Sequence, residues 1–400
     1  MENTTIKTYE TDRKRAFGAE AIGALIIVLC TAFTSRLGVD YAPHVKAAAD
    51  LDFSNLPEMF ARHSEPMWHS LARLVAAILP IPLRYGGYLV SCLAMLAAFL
   101  IAVHYLKNEV GEGRKTQAVI FTTILYLVSA LYVPFFNKYP YLGQGTPNIW
   151  HNPTQIMLRP FMVLFFIILT GEIKRIRETD FTANVSVKTG IWMAVILVMT
   201  NLAKPSFIQI FFPGIFFMML CWLVRYHGRN FKMALQLVLV CLPSLFVFIL
   251  QYLAIFKSGH GKGGGIAIMP FVAARAYTPS VTISFILLFA FPIAMLIIAA
   301  RRKMLDEGNE LSLWMLLMGF LMKILLAETG KRIYSGNFGW GYLAAATLVW
   351  YIAMRDYLRI FVGEGKEKGS SRTIANVLLG LHFISGIYYL IYLIVFVHGV

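Results

Sequence analysis

Apolar residues recur along this chain in blocks of about 20, the length that carries a helix across a hydrocarbon core of about 30 Å. Short charged or glycine- and proline-rich breaks separate them. The blocks fall at 16–36, 84–106, 116–134, 154–171, 188–203, 206–224, 232–256, 280–300, 310–327, 340–358 and 374–397. This pattern predicts an all-α, polytopic integral membrane protein of about eleven transmembrane helices. A soluble chain would instead interleave its apolar residues with charge at helical or strand spacing.

Basic residues provide a check, because cytoplasmic loops collect Lys and Arg. Clusters occupy every second break: Arg13-Lys14-Arg15, Arg114-Lys115, Lys174-Arg175 with Arg177, Arg225 with Arg229 and Lys232, Arg301-Arg302-Lys303, and Arg355 through Arg372. The amino terminus is therefore expected inside and the carboxyl terminus outside. Of the 400 residues, 58% are hydrophobic and 14% charged, and the clusters largely account for the net charge of +15. That charge is consequently read as topology and contact with membrane lipids, with no nucleic-acid partner expected. The first apolar run is long and lacks a small-residue cleavage site, so it is expected to remain as an anchor. Cys30, Cys92, Cys221 and Cys241 all fall inside apolar runs without paired spacing, which argues against a disulfide framework or a zinc site.

Once the basic ends are assigned inside, the remaining polar residues gather on the outer side, where the loops are long. The first outer loop, 37–83, sets Asp40, Tyr41, His44 and Glu65 among apolar residues at helix-like spacing. Interfacial amphipathic helices are expected there, punctuated by Pro66, Pro80 and Pro82. The next loop ends in His151-Asn152-Pro153-Thr154, which reads as the entry to the fourth span, with Arg159 one turn inside. A cation at that depth needs a partner, a cavity or an anionic ligand. Lys204 sits in a very short turn before Pro205, and Arg275 follows a glycine-rich stretch that also holds His260 and Lys262. That stretch lacks the spacing of a nucleotide-binding P-loop and is read either as a mobile loop able to order on a phosphate or as a plain linker. The last outer turn combines Glu328, Lys331, Arg332, Asn337 and Trp340, with Lys323 in the span before it.

One or more carboxylates, several cations and aromatic rings at one mouth suit an anionic headgroup on a lipid tail and a hydroxylated acceptor. A carboxylate would serve as general base, Lys or Arg would hold the departing phosphate, and Trp340 would give a platform for a sugar ring. His44, His63, His69 and His151 show no i, i+4 pair with a carboxylate between, so they form no evident metal motif.

The first span followed at once by Val39-Asp40-Tyr41, the long outer loop, the second span and the later Lys204-Pro205-Ser206 turn resemble the GT-C superfamily of polyprenyl-phosphate-dependent membrane glycosyltransferases. The resemblance covers mainly 16–224 and implies a GT-C-like amino-terminal module followed by a carboxyl-terminal helical module, 225–400, within one transmembrane domain, 1–400. It implies Asp40 as the acceptor-activating base, with Glu65 and His44 as orienters or contacts for a divalent cation, Mg or Mn. Tyr41, His151, Asn152, Arg159, Lys204, Arg275, Glu328, Lys331, Arg332, Asn337 and Trp340 then become candidates for substrate and phosphate binding. The implied partners are a polyprenyl-phosphate-linked sugar donor and a glycan or lipid-linked acceptor, met on the outer face of a plasma membrane. Gly38-x-Asp40-Tyr41 with the later Glu65-Pro66 also resembles the EpsG-like and Wzy-type polysaccharide polymerases, in which Arg159 would meet the lipid pyrophosphate. A transporter or flippase of lipid-linked glycans is the rival class. It would place polar residues near the midplane, often in an inverted repeat, and none is evident.

Overall fold

A computed structural model of the chain describes residues 2–37, 40–55, 58–59, 64–257, 265–363 and 369–397. Helices form at all eleven apolar blocks: α1 (Glu2–Leu37), α4 (Leu83–Leu106), α5 (Lys115–Leu127), α6 (Pro153–Glu178), α7 (Val187–Ala203), α8 (Ser206–Arg225), α9 (Phe231–Lys257), α11 (Val281–Arg301), α12 (Glu307–Leu325), α13 (Gly339–Tyr357) and α14 (Ser370–Val395). Two helices of the first long loop, α2 (Tyr41–Ala49) and α3 (Pro66–Ile78), precede α4, and the short α10 (Val272–Arg275) precedes α11. Pro66 opens α3 and Pro82 caps α4, as the proline spacing predicts.

By length and apolarity alone, fewer than eleven of these helices qualify as spans. Among the described residues, eight helices are long and apolar enough to cross a membrane, and α7 is a shorter apolar helix. Helix α13 carries the buried pair Arg355 and Asp356 in its last turn, and α5 stops after 13 residues. A small exception to the all-α expectation is an antiparallel ribbon of β1 (Ile266–Ile268) and β2 (Leu326–Glu328), in register Ile266 to Glu328 and Ile268 to Leu326.

The end of α5 exposes a rule that hydropathy does not encode. From Val128 the chain runs on extended, where a helix would have satisfied its own backbone. Non-helical backbone at membrane depth survives only when buried in protein that supplies its hydrogen bonds. Here the Ser129 N–H donates to the His382 carbonyl (3.1 Å), the Leu131 N–H to the Leu287 carbonyl (2.9 Å) and the Tyr132 N–H to the Ser385 hydroxyl (3.3 Å). His382 returns a bond from Nδ1 to the Ser129 carbonyl at 2.7 Å. Helix α11 contains Pro292, which cannot donate to the Leu288 carbonyl, and the Trp350 indole N–H takes that acceptor at 3.1 Å.

The extended segment approaches α14 so closely that only glycine fits at 386. A Cβ there would lie 1.7 Å from the Leu127 carbonyl oxygen, a backbone atom that cannot rotate away, whereas a Cβ at Gly380 meets nothing within 4 Å. We expect Gly386→Ala to lose about 3 kcal/mol or more of stability and Gly380→Ala to stay near wild type, as read by thermal unfolding in nanodiscs.

The basic helix ends lie on one face, because they bond to one another. Asp12 accepts from the Lys115 N–H (3.0 Å) and the Thr116 hydroxyl (2.7 Å). Arg114 donates to the Val362 and Gly363 carbonyls after α13. Asp306, which caps α12, binds Arg355 (2.9 Å) and Arg359 (3.1 Å), and Arg359 also meets Glu109 (2.5 Å). Arg229 pairs with Asp180 (2.8 Å) and Arg225 with Glu310 (3.2 Å). The loops that carry the polar candidates meet at the opposite end of the bundle.

Candidate functional site

Asn152 organises the opposite face. It caps α6 with its side-chain oxygen, which accepts the Gln155 N–H (2.9 Å), the Thr154 hydroxyl (2.9 Å) and the Lys204 ammonium (3.3 Å). Those three donors fix the amide orientation, so its Nδ2 points away from the helix and donates to the Asp40 carboxylate at 3.0 Å. Asn-Pro-Thr-Gln is a strong helix start, with a capping Asn and Pro at the first position. The site thus uses a helix start as its frame.

Around Asp40 the structure gathers several of the predicted residues. The His151 Nε2 lies 4.0 Å from the carboxylate, and its Nδ1 is 3.0 Å from the Tyr389 hydroxyl. Lys204, only 7% exposed, also donates to the Thr154 hydroxyl at 2.8 Å and lies over the Trp340 ring, 4.6 Å from its centre. Burial pushes the Lys204 ammonium below its usual range, against the pull of Glu65 and Asp40. Burial works to raise the Glu65 carboxyl, yet Lys204, the Ser64 hydroxyl and the two nearby histidines bring it below its usual range. Asp40 itself keeps 36% of its side chain exposed, which leaves a carboxylate that is held on one oxygen and open on its other side.

A histidine pair adds a feature with no short-range sequence signal. His69 Nδ1 is 2.8 Å from the Glu65 carbonyl oxygen, an atom that can only accept, so the hydrogen sits on Nδ1. The Nε2 of neutral His69 is then an acceptor, and His44 Nδ1 donates to it at 2.9 Å. His44 in its neutral form is left with a bare Nε2. Burial, with Lys204 and His69 adding to it, lowers the His44 pKa to about 4 despite Glu65 and Asp40. The unfolded chain protonates this ring near pH 6.5 and the folded chain near 4, so stability falls as pH drops through that window. The loss is on the order of 3 kcal/mol. Thermal unfolding from pH 7 to 4 is expected to show this acid limb, and His44→Gln to flatten it.

Other candidates lie elsewhere. Tyr41 is buried in the wall, its hydroxyl bonded to the Arg84 carbonyl (2.9 Å) and its ring against Trp68 and Tyr88. Arg159, 6% exposed, donates to the Pro147 carbonyl (2.6 Å) and the Asn148 side-chain oxygen (2.5 Å), with the Tyr126 ring 4.9 Å away. Glu328 holds Arg332 (3.0 Å) and accepts from Ser335 (2.6 Å) and Asn337 (3.0 Å). Lys331 is exposed, and exposed Arg275 stacks on Phe271. His63, His260 and Lys262 lie outside the described residues.

His151, Glu328, Asn337 and Trp340 line an open cleft with mostly apolar walls. Lys323, which the sequence locates in a span rather than a site, also lines it. Thr154 and His69 likewise carry no signal of binding in the sequence, and only Thr154, inside the capping sequence, has a local cue. Among the described residues no three His, Cys, Asp or Glu side chains come together as metal ligands. No protein-family model matches the chain, and no curated protein matches it.

Proposed function

We propose that this protein is a membrane glycosyltransferase of the GT-C kind, moving a sugar from a polyprenyl phosphate or diphosphate carrier to a hydroxyl of a glycan or lipid-linked acceptor. The observation that carries this reading is the partly exposed Asp40 carboxylate, held by Asn152 near His151, His44 and the buried Lys204 ammonium, with His151 also lining an apolar-walled cleft. In the reaction Asp40 takes the acceptor's hydroxyl proton as the oxygen bonds to the anomeric carbon. The bond from that carbon to the phosphate oxygen breaks, and its electron pair leaves on the phosphate, whose charge a cation of the mouth stabilises. Trp340 offers its free ring surface to the sugar. The face bearing the basic helix ends would be cytoplasmic and the mouth external, in a plasma membrane.

A polymerase of the EpsG or Wzy type uses similar chemistry, but there Arg159 would have to reach the substrate. Its bonds to Pro147 and Asn148 favour the transferase reading. The test offers purified protein in nanodiscs a panel of sugars on polyprenyl monophosphate and diphosphate, together with hydroxylated acceptors. Release of the lipid phosphate with sugar on the acceptor is the expected result. Labelled lipid crossing the bilayer with no donor consumed would instead identify a flippase.

A further inference from the structure

Resting on that reading, we infer that Lys323 is the anion-binding group of the cleft, holding the phosphate of an ester whose organic part is apolar. The charged side chains lining the cleft among the described residues are Lys323 and Glu328. Glu328 is occupied by Arg332, Ser335 and Asn337. Lys323 meets no carboxylate among the described residues: its ammonium donates to the Gly143 carbonyl at 3.0 Å and lies 4.3 Å from the centre of the Tyr342 ring.

An ammonium has three N–H donors. One goes to Gly143, one region is covered by the ring, and the cleft lies on the remaining side. Gly143 is held at φ +90° between Asn137 and the Tyr277 backbone, so the carbonyl that aims the ammonium is itself fixed. A half-buried cation in the last turn of a helix with no counter-ion is costly unless an anion joins it. Mostly apolar walls around one such charge select an amphiphile over a free, fully hydrated ion. The Lys204 ammonium differs, because Asp40 and Glu65 already compensate it. The phosphate would therefore rest against Lys323, while His151, which lines the same cleft and lies 4.0 Å from Asp40, marks the side on which the acceptor enters.

The test measures equilibrium binding of three probes to the full chain in nanodiscs: farnesyl phosphate, farnesol and inorganic phosphate. Wild type is expected to bind farnesyl phosphate at least about tenfold more tightly than farnesol, as a charge-assisted contact implies, and inorganic phosphate far more weakly than either. Lys323→Gln and Lys323→Met should abolish the preference for phosphate over alcohol, and Lys323→Arg should keep most of it, with folding verified by unchanged thermal unfolding. Equal wild-type affinity for farnesyl phosphate and farnesol would overturn the inference without any variant. So would a preference that persists in either folded neutral variant. Inorganic phosphate bound as tightly as the ester would overturn the apolar part. No sugar is offered, so Lys323-dependent binding in a protein that transfers no sugar would remove the transferase reading and leave this one standing.

Discussion

Asp40→Asn is expected to lower sugar transfer about a thousandfold, the middle of the range for a positioned general base, while the protein remains folded. The side chain is isosteric, and its oxygen can still accept the Asn152 amide donor that now reaches Asp40 at 3.0 Å. The loss should fall on turnover and leave donor affinity nearly unchanged, since no phosphate contact is touched. Asn152→Ala should be milder in chemistry and worse in stability, because the same amide caps α6 and receives Lys204. Single-turnover assays with thermal unfolding separate the two. Full turnover in a folded Asp40→Asn protein would move the base to Glu65 or Glu328.

Arg159→Met should act on the fold before it acts on any substrate. The guanidinium holds Pro147 and Asn148 at 2.6 and 2.5 Å, and Asn148 in turn donates to the Leu125 and Val128 carbonyls at 2.8 Å each. Hydrogen bonds to a charged group are worth about 1.5–3 kcal/mol each, and a buried acceptor left unmade costs its own desolvation. A stability loss of about 3 kcal/mol or more follows. Arg159→Lys should recover only part of it, because one ammonium cannot replace a planar fork. A phosphate contact would behave in the opposite way, with donor KM rising at unchanged melting temperature.

These two residues mark how far the chain could be read by eye. The helical blocks, their proline punctuation and the Asn152-Pro153 start were legible because hydropathy and capping act over a few residues. The alternate basic ends were legible as sharing one face for the same reason. Arg159 was visible as an oddity but its partners were not, since they belong to an irregular loop folded back onto the helix. The end of α5 was invisible. Residues 116–134 are as apolar as a full span, and the close contact that accompanies the break lies at Gly386, hundreds of residues away. Likewise, His44 and His69 carry no mutual signal until α2 and α3 are packed together. Lys323 counted as a lysine in a helix until the cleft gave it a direction to face.

The extended segment after α5 also has a temporal meaning. Its Leu131 N–H is met by Leu287 of α11, but its Ser129 and Tyr132 N–H groups are met by His382 and Ser385 of α14, so a ribosome delivers two of these three acceptors for an early strand of chain only with the eleventh of these helices. Until α14 emerges, the Ser129 and Tyr132 N–H groups lack their native acceptors and a continued helix is the cheaper conformation. Helix α14 therefore acts as a clasp, and the mouth that Asn152 frames takes its final shape only once α14 is in place, since Tyr389 on that helix meets His151.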